Sequence, residues 1–264
     1  MTDETTDRLH RFRAEAASRG LSPQDVEEWI RVALPTVYMA QGGDGPLVAQ
    51  VGGDPVMPHS APEPRLPFVA SVDLAALADA GRHLLLPSDG HLLLFAEPDL
   101  DDFQGLVHDA VMYVPAGTPT TRRPVEDSRR KPYRPRQLHT LWHQLCSQTD
   151  ASFAEDRWGD PDEHQYALAE ELNNAWSRTG GWRPPWDLQV GGHPIVFQND
   201  PVHWARGSTP DSEDALGDEW TLLATWRCGD DVTELDAGII HWVIRRGDLA
   251  ALRFDRVHGY VDIC

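Results

Sequence analysis

Val51-Gly-Gly-Asp-Pro55 and Val190-Gly-Gly-His-Pro194 are two versions of one short motif. Each version is followed by three further landmarks in the same order: an apolar run, a second apolar run beside a turn that contains Asp and Gly, and an Asp-Leu pair. The spacers between the landmarks differ by lengths that a surface loop absorbs. Four landmarks in one order predict an internal duplication. The later landmarks lie at residues 67–73, 89–95 and 98–100 in copy one and at residues 220–226, 236–242 and 247–249 in copy two.

Both copies contain short apolar runs that are rich in β-branched and aromatic residues, which is typical of buried strands. Neither copy has a clear helix between its strands of the kind that a parallel βαβ crossover needs, although residues 74–80 could form a short one. Mostly antiparallel sheet is therefore expected. The runs lie at residues 68–72, 92–95, 111–114, 195–197, 222–226 and 239–244.

Helices are expected outside the two copies. Apolar residues recur at helical spacing in residues 3–18 and again after Ser22, which is placed as an N-cap. Between the copies, the spacing predicts one helix over 137–148 and a second over 161–178, with Asp160 as the N-cap of the second. The predicted fold class is α+β: mostly antiparallel sheets from an internal duplication, with N-terminal helices and two helices inserted between the copies.

The chain has 264 residues, near the upper limit for one hydrophobic core, and a single domain is expected. Its parts are N-terminal helices at 1–41, copy one at 51–115, a basic loop with two helices at 116–178, and copy two at 190–264. We expect the proline-rich loop at 116–136 to be solvated, and a site for an anionic ligand or for a partner's acidic face is the alternative. Its cations are Arg122, Arg123, Arg129, Arg130, Lys131, Arg134 and Arg136.

The composition argues against several classes of function. The chain has 42 Asp and Glu against 23 Lys and Arg, for a formal net charge of −19. Such a surface repels phosphate groups, so nucleic acids and anionic membranes are not expected as partners, whereas a basic protein is compatible with it. No secretory signal or membrane-spanning apolar stretch is visible, and the three cysteines are too scattered for a disulfide framework. These features predict a cytoplasmic protein.

Three segments resemble the motifs of the YwqG-like bacterial proteins, a family of unknown function. They are Gly52-Gly-Asp-Pro-Val-Met-Pro58 with residues 66–74, Gly191-Gly-His-Pro194 with Gln198-Asn-Asp-Pro201, and residues 222–244. The resemblance implies an α+β fold and brings no activity and no catalytic residues. The chain departs from the family pattern at Ser71 and Thr225, where the family usually has glutamine, and at Arg227, where it usually has an acidic residue.

His193 and Asp54 are the first candidates for a ligand site. They occupy the same place in the two Gly-Gly motifs. The flanking glycines let the backbone approach a ligand closely, and the proline that follows fixes the exit of the chain. The alternative is that both residues only form turns, since Asp-Pro and His-Pro after Gly-Gly make good loop corners.

Four further polar residues are candidates because of their places beside strands. Gln198 and Asp200 follow an apolar run, and polar side chains at a strand end often face a cleft. Asp73 and Asp236 end or precede strands in the two copies, and they would form a carboxylate pair if they met across a twofold axis. Turn capping explains each of the two aspartates equally well.

Neither a metal nor a cofactor is expected. His139 and His143 are four residues apart on the predicted helix, as a metal pair would be, but no third ligand follows at a telling distance. No phosphate-binding loop, dinucleotide fingerprint or Ser-His-Asp order occurs. Trp182-Arg-Pro-Pro-Trp186 is a stiff aromatic loop that either stacks on a sugar or peptide or packs into the core.

Three functions are compatible with these observations. The first is a binding or interaction protein, such as an inhibitor or immunity-type partner of a basic protein, which fits the acidic charge and the missing catalytic motif. The second is an enzyme or small-ligand binder with a cleft between the two copies and His193 as its acid–base group. The third is a structural accessory domain. Convergence of the candidate residues in one pocket would favour the second function, and scattered positions would favour the first.

Overall fold

The computed structural model describes residues 3–77, 84–98, 103–124, 132–180, 185–208, 219–232, 235 and 238–263. Within them the chain forms six α-helices and thirteen β-strands. The helices are α1 (Asp3–Ser18), α2 (Pro23–Val32), α3 (Asp150–Trp158), α4 (Glu163–Thr179), α5 (Pro201–Ser208) and α6 (Arg246–Ala250). The strands are β1 (Leu34–Ala40), β2 (Leu47–Val51), β3 (Val56–Pro58), β4 (Phe68–Asp73), β5 (His91–Phe95), β6 (Gly105–Leu106), β7 (Val111–Val114), β8 (Thr120–Arg122), β9 (Arg136–Cys146), β10 (Leu188–Gly191), β11 (Trp220–Arg227), β12 (Ile239–Arg245) and β13 (His258–Asp262).

Eleven of these strands form one antiparallel sheet, which curves into a half-barrel. The strand order is β6-β13-β12-β11-β10-β1-β9-β2-β4-β5-β7. The remaining two strands, β3 and β8, pair with each other in a separate small sheet. The predicted α+β class with mostly antiparallel sheet is therefore confirmed. No described helix is long and apolar enough to cross a membrane.

The strand order is alike on the two sides of the central pair, β1 and β9. From β9 the sheet continues through β2, β4, β5 and β7, and from β1 it continues through β10, β11, β12 and β13. The strands next to the centre, β2 and β10, each lead into a Gly-Gly pair with positive φ: +68° and +75° at Gly52 and Gly53, and +68° and +77° at Gly191 and Gly192. The two sets of landmarks thus occupy comparable places in one sheet, while their origin in a duplication stays a prediction.

The helix predicted over 137–148 is wrong, because Arg136–Cys146 is the strand β9. Leu138, Leu141 and Leu145 recur at helical spacing, but β9 has a partner on each side, β1 and β2. These neighbours satisfy its backbone N–H and C=O groups, so long-range pairing overrides the local periodicity. His139 and His143 are consequently separated by about 13 Å along a strand instead of by one helical turn.

Two helices do lie between the two sets of landmarks, but their bounds differ from the prediction. The first is α3, which follows β9 and has Thr149 as its N-cap. The second, α4, is capped by Asp162 rather than by Asp160, because Asp162 forms a capping box with Gln165.

The other boundaries follow the sequence only in part. The N-terminal segment 1–41 contains the two expected helices, with Ser22 as the N-cap of α2, but its last residues form the strand β1. Residues 195–197 were expected as a strand and form none, since the chain there runs as an irregular connection into α5. The helix α5 is an addition that the sequence patterns did not indicate.

The hydrophobic core has two main parts. The larger part contains buried side chains from both halves of the sheet, and Trp242 of β12 donates its Nε1–H to the carbonyl O of Phe95 of β5 at 3.0 Å. This hydrogen bond joins the two halves. The other part packs α1, α2, α3 and α4 together around the fully buried Trp29. Arg8 of α1 attaches this helical layer to β9 through Gln144 Oε1 at 2.6 Å.

The described parts of the basic loop are largely exposed, but two of their cations, Arg123 and Arg136, are half-buried and contact protein groups. Thr120–Arg122 is the strand β8, and Arg123 donates to the carbonyls of Pro58 and His59 at 3.0 Å each. Arg136 is the first residue of β9 and lies 3.5 Å from Asp231. Three cations of this segment lie outside the described residues: Arg129, Arg130 and Lys131.

Candidate functional site

His193 is held between a strand and a helix. It follows the Gly-Gly pair at the end of β10, and its Nε2–H donates to the carbonyl O of Val32 at the end of α2 over 2.8 Å. Burial lowers the pKa of His193 below its ordinary value of 6.5, although the hydrogen bond to Val32 acts in the opposite direction. The imidazole is therefore neutral near physiological pH, and its Nδ1 is a hydrogen-bond acceptor.

Asp200 precedes α5 and caps it. Its Oδ1 accepts from the backbone N–H of Val202 at 2.8 Å, and its Oδ2 accepts from Oγ of Ser152 in α3 at 2.9 Å. Ser152 in turn accepts from the hydroxyl of Thr149 at 2.8 Å. The carboxylate therefore ties α3 to α5, so a capping role accounts for its hydrogen bonds.

His193 and Asp200 line one open cleft of about 530 Å³, which we name the His193 cleft. Its walls come from α2, α3, α5 and the first residues of β11 and α6. The volume lies within the range of small-molecule sites in proteins. Eight ionisable side chains line the cleft: Arg31, Arg206, Arg246, Asp156, Asp200, Glu219, His193 and His203.

His203 and Asp156 form an imidazole–carboxylate pair across α5 and α3. His203 Nε2 lies 3.5 Å from Asp156 Oδ1, and its Nδ1 lies 3.7 Å from Glu155 Oε2. The contact with Asp156 raises the pKa of His203, and the charge of Asp200 adds to this effect. The same contact lowers the pKa of Asp156, which also accepts from Gln148 Nε2 at 2.5 Å. When His203 is protonated, the two side chains therefore form an ion pair.

Three residues of the His193 cleft contain a buried polar atom that has no hydrogen-bond partner within the described part of the chain. They are the donors Nε1 of Trp220 and Nε of Arg246 and the acceptor Oε1 of Gln148. Trp220 as a whole is only 6% exposed. Buried polar atoms are almost always paired with protein, water or a ligand, because an unpaired one costs about 1–3 kcal/mol. Three residues with such atoms line this one cleft.

Asp73 and Asp54 line a different cleft of about 340 Å³, which we name the Asp73 cleft. It lies on the first half of the sheet, beside the small β3–β8 sheet. Oδ1 of Asp73 accepts from the backbone N–H groups of Ala75 and Ala76 at 3.0 and 3.2 Å, so this residue caps a turn. The candidate aspartates of copy one are thus separated from His193 and Asp200 of copy two.

Ser71 and Thr225, which replace the glutamines of the YwqG-like pattern, have different surroundings. Ser71 lines the Asp73 cleft and lies opposite Gln50 of the neighbouring strand. Thr225 is fully buried, and its hydroxyl is 2.9 Å from Nδ1 of His241. Burial lowers the pKa of His241 to about 3, so this pair is neutral in the folded protein. Of these two strand residues, Ser71 therefore faces a cleft, whereas Thr225 does not.

Both clefts lie largely within the part of the chain that a protein-family model matches. The model is described as Domain of unknown function (DUF1963), and it covers residues 49–263. The chain belongs to the DUF1963 family. The matched range of this DUF1963 protein begins after α1, α2 and β1, although β1 is at the centre of the sheet. No curated protein matches the chain.

Of the two remaining candidate residues of the DUF1963 chain, Gln198 does not line the His193 cleft. Gln198 is exposed, and its backbone N–H donates to Asp262 Oδ1 at 3.2 Å. Asp236 lies outside the described residues. The pairing of Asp73 with Asp236 therefore stays a prediction, since only Asp73 is among the described residues, where it lines the Asp73 cleft.

Sequence reasoning missed several residues of the His193 cleft. Asp156, His203 and Arg246 come from three different helices, and no motif spacing connects them. The one available signal is the adjacency of Arg246 to a strand end in the second copy, next to the Gly-Asp-Leu landmark. Such a signal is common at strand ends and would not have singled out this arginine.

The chemistry of the His193 cleft suits binding better than covalent catalysis. Among the described residues, the hydroxyl of Ser152 is committed to Asp200, and both ring nitrogens of His203 face carboxylates. His193 offers an acceptor, and the arginines offer donors. No group of three or more His, Cys, Asp or Glu within the described ranges could hold a metal ion. The arrangement can therefore hold a polar molecule through several hydrogen bonds.

Proposed function

We propose that this DUF1963 protein binds a small polar molecule in the His193 cleft. The observation that carries the proposal is the set of three buried polar atoms, on Gln148, Trp220 and Arg246, that have no hydrogen-bond partner among the described residues. A ligand with at least one acceptor and one donor group can supply these hydrogen bonds when side-chain shifts expose the three atoms to the cleft. Such a ligand would recover part of the free energy that their burial costs.

Binding is a better explanation than catalysis because the groups in the cleft are arranged as fixed donors and acceptors. His193 is neutral and donates to Val32, which fixes its ring and leaves Nδ1 as an acceptor. Asp200 and Asp156 already accept hydrogen bonds from protein groups. The cleft therefore has groups that can orient a bound molecule, and its described residues include no activated nucleophile.

The direct test is native mass spectrometry of the protein after incubation with the small-molecule fraction of a cell extract. We expect one retained mass per chain in the wild type. Trp220→Phe removes one donor but keeps an aromatic ring, and it should weaken retention about tenfold, the value of one hydrogen bond.

The matched control is Trp226→Phe. Trp226 is also fully buried and also has an Nε1 without a described hydrogen-bond partner, but it lines neither cleft. Retention should be unchanged in this variant. No retained mass in the wild type, or equal loss in both variants, would contradict the proposal.

A second candidate function is an interaction with a basic protein, as an inhibitor or immunity-type partner. The net charge of −19 supports it, since a strongly acidic surface accelerates and selects association with basic partners. We also propose a cytoplasmic location, which the scattered cysteines support, and a bacterial origin, which the resemblance to the YwqG-like motifs supports. Affinity capture from extract should retain an excess of basic proteins that elute as salt rises. Retention without that bias would argue against this candidate.

A further inference from the structure

We infer that the ligand of the His193 cleft is anionic and that its carboxylate or phosphate group binds Arg246 in the place now taken by Glu219. This inference rests on the proposed function and names the class of ligand. It follows from the balance of donors and acceptors in the cleft, from the weakness of the Arg246–Glu219 pair, and from the positions of two further arginines.

The carboxylates of the cleft are already engaged by protein groups. Asp200 accepts from Val202 and Ser152, and Asp156 accepts from Gln148 and contacts His203. Their negative charges are therefore largely compensated within the fold. A cationic ligand would have to compete with these hydrogen bonds, which are shorter than 3 Å.

The donors of the cleft are in excess. A guanidinium has five N–H donors, and Nε of Arg246 is buried with no described partner. Trp220, next to Glu219 in the sequence, adds a second buried donor without a partner among the described residues. Carboxylate and phosphate oxygens are the acceptors that guanidinium groups bind best, because two parallel N–H···O bonds can form.

The ion pair of Arg246 with Glu219 is weak and replaceable. Arg246 Nη1 lies 3.5 Å from Glu219 Oε2, and the two side chains are 39% and 68% exposed. Exposed pairs of this kind contribute little and exchange readily with other anions. The backbone N–H of Arg246 donates to the carbonyl of Glu219 at 2.9 Å, which keeps the two residues adjacent whatever their side chains do. Glu219 is therefore an internal competitor for the position of an anionic ligand.

Arg31 and Arg206 add positive charge to the same cleft. Arg206 Nη1 is 3.5 Å from Asp156, and Arg31 pairs with Glu28 on its own helix at 2.7 Å while its side chain is 71% exposed. Neither pairing uses the full set of guanidinium donors. Both arginines can therefore contact a second acidic or polar group of a ligand whose first anionic group is on Arg246.

The test is isothermal titration calorimetry with two anionic probes, inorganic phosphate and citrate, and one neutral probe, glycerol. We expect saturable binding of at least one anion and none of glycerol. Phosphate alone would assign a phosphorylated ligand, and citrate alone would assign a carboxylic acid. Arg246→Gln should weaken binding at least about tenfold, whereas Glu219→Gln should tighten it several-fold because the competitor is removed.

The pair Arg65 and Asp109 provides the matched control. It is also an exposed arginine–carboxylate pair, with a separation of 2.7 Å, and neither residue lines the His193 cleft. Arg65→Gln and Asp109→Asn should leave anion binding unchanged. The inference would be overturned if the control variants changed anion binding as much as the cleft variants do, or if Glu219→Gln weakened binding.

The outcomes separate this inference from the proposed function. A neutral molecule retained from extract, lost in Trp220→Phe and insensitive to Arg246→Gln, would refute the anionic ligand and leave the proposed function in place. No retained molecule and no anion binding would refute both. Circular dichroism of each variant checks that the fold is kept, and Arg246→Lys, which retains the charge, should recover part of the affinity.

Discussion

Gln50 and Gln189 make the same hydrogen bond in the two halves of the sheet. Each donates its side-chain Nε2–H to the carbonyl of the glycine two residues later, Gln50 to Gly52 at 3.0 Å and Gln189 to Gly191 at 2.8 Å. Both glutamines are on the strand next to the central β1–β9 pair, and both glycines have a φ of +68°. The agreement extends from strand order to a single side-chain contact.

We therefore expect the two halves to superpose by a rotation close to a twofold. The rotation should place β2, β4, β5 and β7 on β10, β11, β12 and β13. An experimental structure, with the two halves aligned through the Gly-Gly pairs, measures this directly. The duplication would be refuted if aligned strands ran in opposite directions or if equivalent side chains pointed to opposite faces of the sheet. The shared Gly-Gly motif would then reflect only similar turns.

Gly52→Ala should destabilise the protein strongly. A φ of +68° costs an alanine about 1–2 kcal/mol, and the added Cβ would overlap the carbonyl oxygens of Tyr133 and Arg134, at a further cost of about 1–3 kcal/mol. Gly20 isolates the two effects, since its φ is +76° but nothing lies within 4 Å of an added Cβ. Urea denaturation of Gly20→Ala should show the first cost alone. Equal losses in the two variants would contradict the close packing at Gly52.

Trp242→Phe should cost about 1 kcal/mol more than Trp226→Phe. Both tryptophans are fully buried in the sheet core, but only Trp242 has a described hydrogen bond, to the carbonyl O of Phe95. The two substitutions remove the same atoms, so their difference measures the bond between the halves. Chemical denaturation with both variants gives that difference, and a larger loss for Trp226→Phe would show that ring packing dominates.

The pair of His203 and Asp156 should make stability depend on pH. The pKa of His203 is raised above 6.5, so the folded state binds its proton more tightly than the unfolded state does. The stabilisation is complete below about pH 6.5 and is lost as pH rises through the folded pKa. The pKa of Asp156 is lowered below 3.8, so its share persists until acid protonates it.

The measurement is the free energy of unfolding of wild type and His203→Gln at about pH 5.5 and about pH 8.5. The variant should lose more stability, relative to wild type, at the lower pH. The comparison with wild type is necessary because burial lowers the pKa values of His193, His241 and His258, which act in the opposite direction. A difference that is the same at both pH values would contradict a charged His203–Asp156 pair.

The parts of the fold that the sequence predicted correctly are those whose local pattern and long-range environment agree. Residues 68–72 and 222–226 are each apolar at four of five positions, and they form strands inside a sheet that covers them. The segment 137–148 failed because its leucine spacing fits a helix, while its place between two other strands depends on residues about a hundred positions away.

The candidate site was predicted to a smaller extent for a related reason. His193 is adjacent to a motif with an unusual backbone, and the structure places it in a cleft. Arg246, Trp220 and Gln148 become notable only through buried atoms that lack partners, a property of the folded chain and not of any spacing. Patterns along a chain report periodicity and turns; they do not report which polar atoms folding leaves unsatisfied.

The central position of β1 has a consequence for biosynthesis. Leu34–Ala40 is translated about a hundred residues before its first neighbour, Arg136–Cys146, and still longer before the second, Leu188–Gly191. Until then β1 has two open edges, which are templates for pairing with other chains. Closing such long loops is slow, so the edges of β1 stay open for longer than those of a strand with near neighbours in sequence. The centre of the sheet is thus begun first and completed late during synthesis.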